Sequence, residues 1–96
     1  MTLWREMLGA QLRATRIAQG RTLRDISATA NVALGYLSEL ERGHKEASSE
    51  LLASICAALD TPVSAVMSRT ADALSREESV ATVLALPVAK PVNKAA

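Results

Sequence analysis

The strongest constraint on this chain is its punctuation. Apolar residues recur at helical spacing in blocks, and each block is closed by residues that stop one helix or start the next. Gly20 stands just before Thr22, Asn31-Val32 makes a tight connection, and Gly43 ends a run. Ser48-Ser49 opens a fourth block and Thr61-Pro62 a fifth. Such spacing predicts five helices within residues 3–67, joined by connections of two to six residues.

Each block has its own apolar stripe. In residues 3–18, Leu8 and Leu12 share a face with Trp4, and Ala14 and Ile17 extend it; Arg5, Arg13 and Arg16 lie on other faces. Thr22 is placed to cap the second helix, with Asp25 as a short-armed capping-box partner, and Leu23, Ile26 and Ala30 form its stripe. The third helix runs from about Ala33 to Arg42 on Leu37 and Leu40, with Gly43 as terminator. Ser48 or Ser49 caps a fourth helix over about 49–59, which buries Leu51, Leu52, Ile55, Cys56 and Leu59. Thr61 caps a short fifth helix from Pro62 to Met67, burying Val63, Val66 and Met67.

The remainder reads differently. Residues 68–75 are weakly patterned. Ser75-Arg76-Glu77-Glu78 is a capping box that predicts a separate helix to about Leu86. A helix that short is unstable alone in water, so it packs on the bundle or on a second copy. Residues 68–86 are therefore expected to be a helical extension that serves dimerisation, within an interface over residues 63–86 formed by Val63, Val66, Met67, Leu74, Val80, Val83 and Leu84. The tail, residues 87–96, contains two prolines and little to bury, and reads as extended or disordered.

Composition narrows the function. Phe is absent, and the apolar content is aliphatic, which favours helices over strands. No apolar run approaches the ~18 residues of a membrane span, and the charged N-terminus does not resemble a signal peptide, so a cytoplasmic location is expected. One cysteine excludes an internal disulfide, and one histidine beside it makes no zinc cluster. No cofactor is implied. There is no nucleophile–base constellation and no glycine-rich phosphate loop, so no enzyme is expected. Net charge is only +1, but it is uneven: residues 13–45 carry three more cations than carboxylates, while residues 46–67 hold three carboxylates and no Lys or Arg. A phosphate backbone responds to such a local patch.

The run LGAQLRATRIAQGRTLRDISATANVALGYLSELERGH, Leu8 to His44, resembles the Xre/Cro-type helix-turn-helix family, related to phage lambda repressor. The marks are Leu12-Arg13 and Arg16, Gly20 and Thr22, and the Tyr-Leu-Ser-x-Leu-Glu-x-Gly pattern of residues 36–43. The following SSELLASICAALDTPVSAVM resembles the family's fourth and fifth helices. Around TLRDIS and GYLSELERG the chain is also similar to actinobacterial regulators of Clp protease genes. The resemblance implies an all-α, lambda-repressor-like five-helix DNA-binding bundle at residues 3–67, here with an added C-terminal helix. It also implies a homodimer on palindromic double-stranded DNA, located on the nucleoid, with RNA polymerase as a further partner. Ala95-Ala96 resembles a small apolar degron, which would make the Clp protease a partner; many tails simply end in alanine.

Residue roles follow from the same resemblance. The second helix crosses the backbone and the third lies in the major groove. Base contacts fall to Leu34, Gly35, Ser38 and Glu39, and phosphate contacts to Arg24, Tyr36, Arg42, His44 and Lys45. Leu34 can pack on a thymine methyl; Glu39 can accept from a cytosine amino group, or else pair with a neighbouring Arg. Gly35 lets the helix approach closely. Ala33 stands where the family often has a capping Ser, so Asn31 is the alternative cap. Leu23 replaces a common Gln, which shifts the second helix's phosphate contact towards Arg24. Tyr36 either reaches a phosphate or packs beside the second helix. Arg16 and Glu41 are expected as a structural ion pair between the first and third helices. Cys56 reads as a small core residue before a redox sensor. The competing function is a protein-interaction or antitoxin-like module that keeps the fold without strong DNA binding.

Overall fold

The computed structural model describes residues 3–85, with side chains through Val80. Five helices form: α1 Trp4–Ala18, α2 Leu23–Ala30, α3 Leu34–Glu41, α4 Ser49–Ala58 and α5 Val63–Ala85. No strand occurs among the described residues. The all-α five-helix bundle is therefore the fold.

The helix boundaries follow local chemistry. Thr22 accepts from the Asp25 N–H at 3.0 Å, and Asp25 accepts from the Thr22 N–H at 2.9 Å. This closes the capping box of α2 and holds the Asp25 carboxyl below its ordinary pKa, first through the Thr22 backbone bond and then through its hydroxyl. Ser48 caps α4 by accepting from Leu51 N–H at 3.2 Å. Gly20 and Gly43 end α1 and α3 at positive φ, +69° and +80°.

Two cap assignments are corrected. Asn31 does not cap α3. It sits at φ 58°, closing α2 in the left-handed region that asparagine tolerates, and Ser27 Oγ donates to the Val32 carbonyl at 2.6 Å to fix the turn. Helix α3 starts from Ala33, which offers no side-chain cap. Thr61 does not cap α5; its hydroxyl donates back to the Leu59 carbonyl at 2.9 Å.

The core gathers Leu8, Leu12, Ile26, Ala30, Leu37, Leu40, Leu52, Ile55, Cys56, Ala58, Leu59 and Val66, with Leu23, Val32, Tyr36, Ala47 and Met67 packed against it. Cys56 is a buried core residue whose thiol is pushed up in pKa by desolvation, which disfavours the reactive thiolate. Trp4, Ala14 and Ile17 depart from expectation: all three are exposed. Helix α1 turns its Leu8–Leu12 edge and Gly9 inward, and one helix cannot bury a wider arc between two neighbours. Thr70 is fully buried, which its polarity hides; its hydroxyl donates to the Val66 carbonyl at 2.8 Å.

The short fifth helix and the separate C-terminal helix are one continuous helix of 23 residues. Ser75 lies in its interior. A capping box starts a helix only where the preceding backbone is not already helical. Here Val66 and Thr70 anchor the preceding turns in the core, so propagation through residues 68–75 needs no new nucleus. Val66 has no exposed surface, so it is a core residue and not a dimer contact. Val63 and Val80 are exposed, while Met67 and Leu74 are half-buried. The side chains of Val83 and Leu84, and the tail 87–96, lie outside the described residues.

Candidate nucleic-acid interface

Helix α3 has two opposed faces. Leu37, Leu40 and Glu41 point inward and are buried. Gly35, Ser38, Glu39 and Arg42 recur at spacings of three and four, which puts them on one outward stripe. Leu34 flanks that stripe one turn before Ser38 and is half-buried. Of the four residues read as base contacts, only Gly35 is exposed, and a Cβ there would meet no atom within 4 Å; Ser38 and Glu39, like Leu34, are half-buried.

Helix α3 is locked to α1 by two devices. Arg16 Nε donates to Glu41 Oε2 at 2.8 Å and Arg16 Nη2 to Glu41 Oε1 at 3.0 Å, a bidentate pair joining the helices. Arg16 Nη1 also holds the Arg21 carbonyl at 2.9 Å. The Glu41 hydrogen bond keeps the Arg16 guanidinium above its ordinary pKa. The pair satisfies the only buried carboxylate of the core; among the described residues no buried side-chain nitrogen or oxygen lacks a partner. The second device is Gly9, which the sequence reading missed. A Cβ at Gly9 would overlap the Leu40 carbonyl oxygen and lie 2.7 Å from the Glu41 carbonyl oxygen, so α1 and α3 touch backbone to backbone there. A glycine flanked by leucine and alanine in a helix is the signal that could have found it.

Basic side chains gather after α3. Arg42, His44 and Lys45 are exposed. Glu39 engages two of them: its carboxylate lies 2.8 Å from His44 Nδ1 and 3.7 Å from Arg42 Nη1. Lys45, and Arg24 on α2, carry no carboxylate partner among the described residues. Tyr36 departs from the phosphate reading in one respect. Its hydroxyl donates to the Glu46 carbonyl at 2.6 Å, so its single proton is already used, and burial raises its pKa. Its ring packs against the core. Leu23 packs there too, leaving Arg24 as the exposed cation of α2's first turn.

Comparison with known proteins places this geometry. The helix-turn-helix family profile matches residues 12–66. The chain is 53% identical over 79 residues to the transcriptional regulator ClgR of Mycobacterium tuberculosis, covering 82% of this chain and 70% of that protein. A crystal structure of the clp gene regulator ClgR from Corynebacterium glutamicum superposes with a TM-score of 0.76 at 49% identity, over 86% of this chain and 92% of that one. The restriction-modification controller protein C.AhdI from Aeromonas hydrophila shares the fold alone, with a TM-score of 0.63 at 22% identity over 65% and 94% of the two chains. The relatives are transcriptional regulators and not enzymes. With its turn closed by Asn31, its α3 stripe facing outward and this kinship, the chain belongs to the Xre-type helix-turn-helix family of DNA-binding transcriptional regulators, as a homologue of ClgR.

Proposed function

We propose that the chain binds a palindromic operator as a homodimer, with α3 in the major groove, and that it controls clp genes. The observation that carries this reading is the outward stripe of α3, which ends beside an exposed cationic loop. The C. glutamicum relative, described as a clp gene regulator, supplies the target class.

In this reading Leu34 meets a thymine methyl, Gly35 lets the helix sink close to the groove floor, and Ser38 bonds a base edge. Glu39 accepts from a cytosine amino group once phosphate oxygens draw off Arg42 and His44. Arg24, Arg42, His44 and Lys45 meet phosphates. Tyr36 does so only by giving up its bond to Glu46, and otherwise shapes the loop. The exposed Val63 and Val80 of α5, with Leu74, Val83 and Leu84 along the same helix, form the dimerisation surface, and Met67 contributes at its inner rim. Dimerisation would set two α3 helices about 34 Å apart on successive grooves. The nucleoid is its location and RNA polymerase a neighbour at promoters.

The test is selection of bound duplexes from a random pool, followed by titration of the selected duplex against salt. The reading expects an inverted repeat and affinity that falls steeply with added salt. Absence of any duplex binding at low salt refutes it and favours the protein-interaction module.

A further inference from the structure

We propose that Arg5, at the start of α1, is a positioning residue for phosphate contact: it holds the loop after α3 in the shape that presents Lys45. This rests on the reading above that the loop faces the DNA backbone.

The loop is tied at successive points. Arg5 Nε donates to the Gly43 carbonyl at 2.9 Å, and Arg5 Nη1 donates to Glu46 Oε2 at 3.4 Å. The Tyr36 hydroxyl donates to the Glu46 carbonyl at 2.6 Å, and the His44 N–H donates to the Glu39 carbonyl at 2.9 Å. Gly43 lies against α1 so closely that a Cβ would sit 2.7 Å from Glu6 Cα, beside Arg5. Lys45 therefore stands between anchored neighbours while its own side chain is exposed and without a carboxylate partner among the described residues.

The bonds of Arg5 are not needed to hold α3 itself. Arg16–Glu41 and the Gly9 contact already join α1 to α3. The bonds of Arg5 go to the loop. A surface loop left free would have to be ordered when DNA binds, and that entropy would be subtracted from affinity. Arg5 removes this cost in advance. A guanidinium can hold a carbonyl with one nitrogen and a carboxylate with another, whereas the ammonium of a lysine has a single nitrogen.

The experiment measures affinity and its salt dependence for the full chain on the selected duplex and on a random-sequence duplex. Arg5→Gln should weaken both by about five- to tenfold and reduce the salt slope by about 0.9 per loop, the share of one phosphate contact. Arg5→Lys should stay impaired, because it keeps the charge but loses the fork. Lys45→Ala should show the same slope loss, and adding Arg5→Gln to it should cost nothing further. Tyr36→Phe, which keeps the packed ring, should weaken both duplexes in the same direction.

Wild-type affinity in Arg5→Gln, full rescue by Arg5→Lys, or losses that multiply between Arg5→Gln and Lys45→Ala would each overturn the proposal. An unaltered slope in Lys45→Ala removes the loop from the phosphates and takes the proposal with it, while specific binding through α3 still stands. A wild-type chain that binds neither duplex overturns the DNA reading as well.

Discussion

Replacing Gly9 with alanine sets two physical effects against each other. A glycine in a helix interior costs roughly 1 kcal/mol relative to alanine, so Gly9→Ala should stabilise α1 if the helix were alone. The tertiary structure reverses the sign. The added methyl would overlap the Leu40 carbonyl oxygen and press on the Glu41 carbonyl at 2.7 Å. These are backbone atoms, and a methyl group has no rotamer by which to escape. Helix α1 must move away from α3, loosening the seam that holds Leu8, Leu37 and Leu40. Overpacking of this kind costs up to about 3 kcal/mol, leaving a net loss of about 2 kcal/mol after the propensity gain. For a domain of this size that lowers the melting temperature by roughly 8–16 °C. Gly35→Ala is the internal control. It is the same substitution in a helix, but nothing lies within 4 Å of the new Cβ. It should leave the melting temperature equal or slightly higher, while weakening operator binding if α3 enters the groove closely. Far-ultraviolet circular dichroism melts of the three proteins decide the matter. A Gly9→Ala protein that melts at or above the wild-type temperature refutes the backbone contact between α1 and α3.

Other expectations are simpler. Glu41→Ala leaves the Arg16 guanidinium half without a partner in a site where the two side chains are 13% and 6% exposed, and should cost about 3 kcal/mol in chemical denaturation, with weaker duplex binding. Asp25 has a lowered folded-state pKa, so its contribution is complete above the ordinary aspartate value of 3.8 and is lost as pH falls through the lower folded value. The stability gap between wild type and Asp25→Asn should therefore be largest at neutral pH and shrink in acid; a gap that widens in acid contradicts the capping box. Deleting residues 76–96 should leave a folded monomer with much weaker operator binding, measurable by sedimentation and by titration, because Val66 and Thr70 already secure the first turns of α5.

Much of the fold is legible in the order of residues because its signals are local. Thr22 and Asp25 sit three residues apart, Gly20 and Gly43 supply positive φ where a helix must stop, and Ser48 needs only its own following turn. Helical stripes carry the same kind of information, and Leu8, Leu12, Ile26, Leu37, Leu40 and Ile55 all reach the core. Failures occur where a partner is distant along the chain. Ser75 has every feature of a cap, yet Val66 and Thr70 are anchored in the core before it and the helix runs straight through. Trp4 and Ile17 have core-like side chains, yet both are exposed, because the inward edge of α1 is the one that carries Leu8, Gly9 and Leu12.

For the site, the sequence determined which residues share α3 and that cations follow it. Chain order and helical period set both, whatever the packing. Only the tertiary structure decided what those residues touch. Gly9 meets α3 at Leu40 and Glu41, far along the chain, Arg5 reaches Gly43 and Glu46, and the Tyr36 hydroxyl turns to a loop carbonyl. Such contacts depend on how two helices approach one another, and that is set by the summed burial of the core and by no single residue's preference.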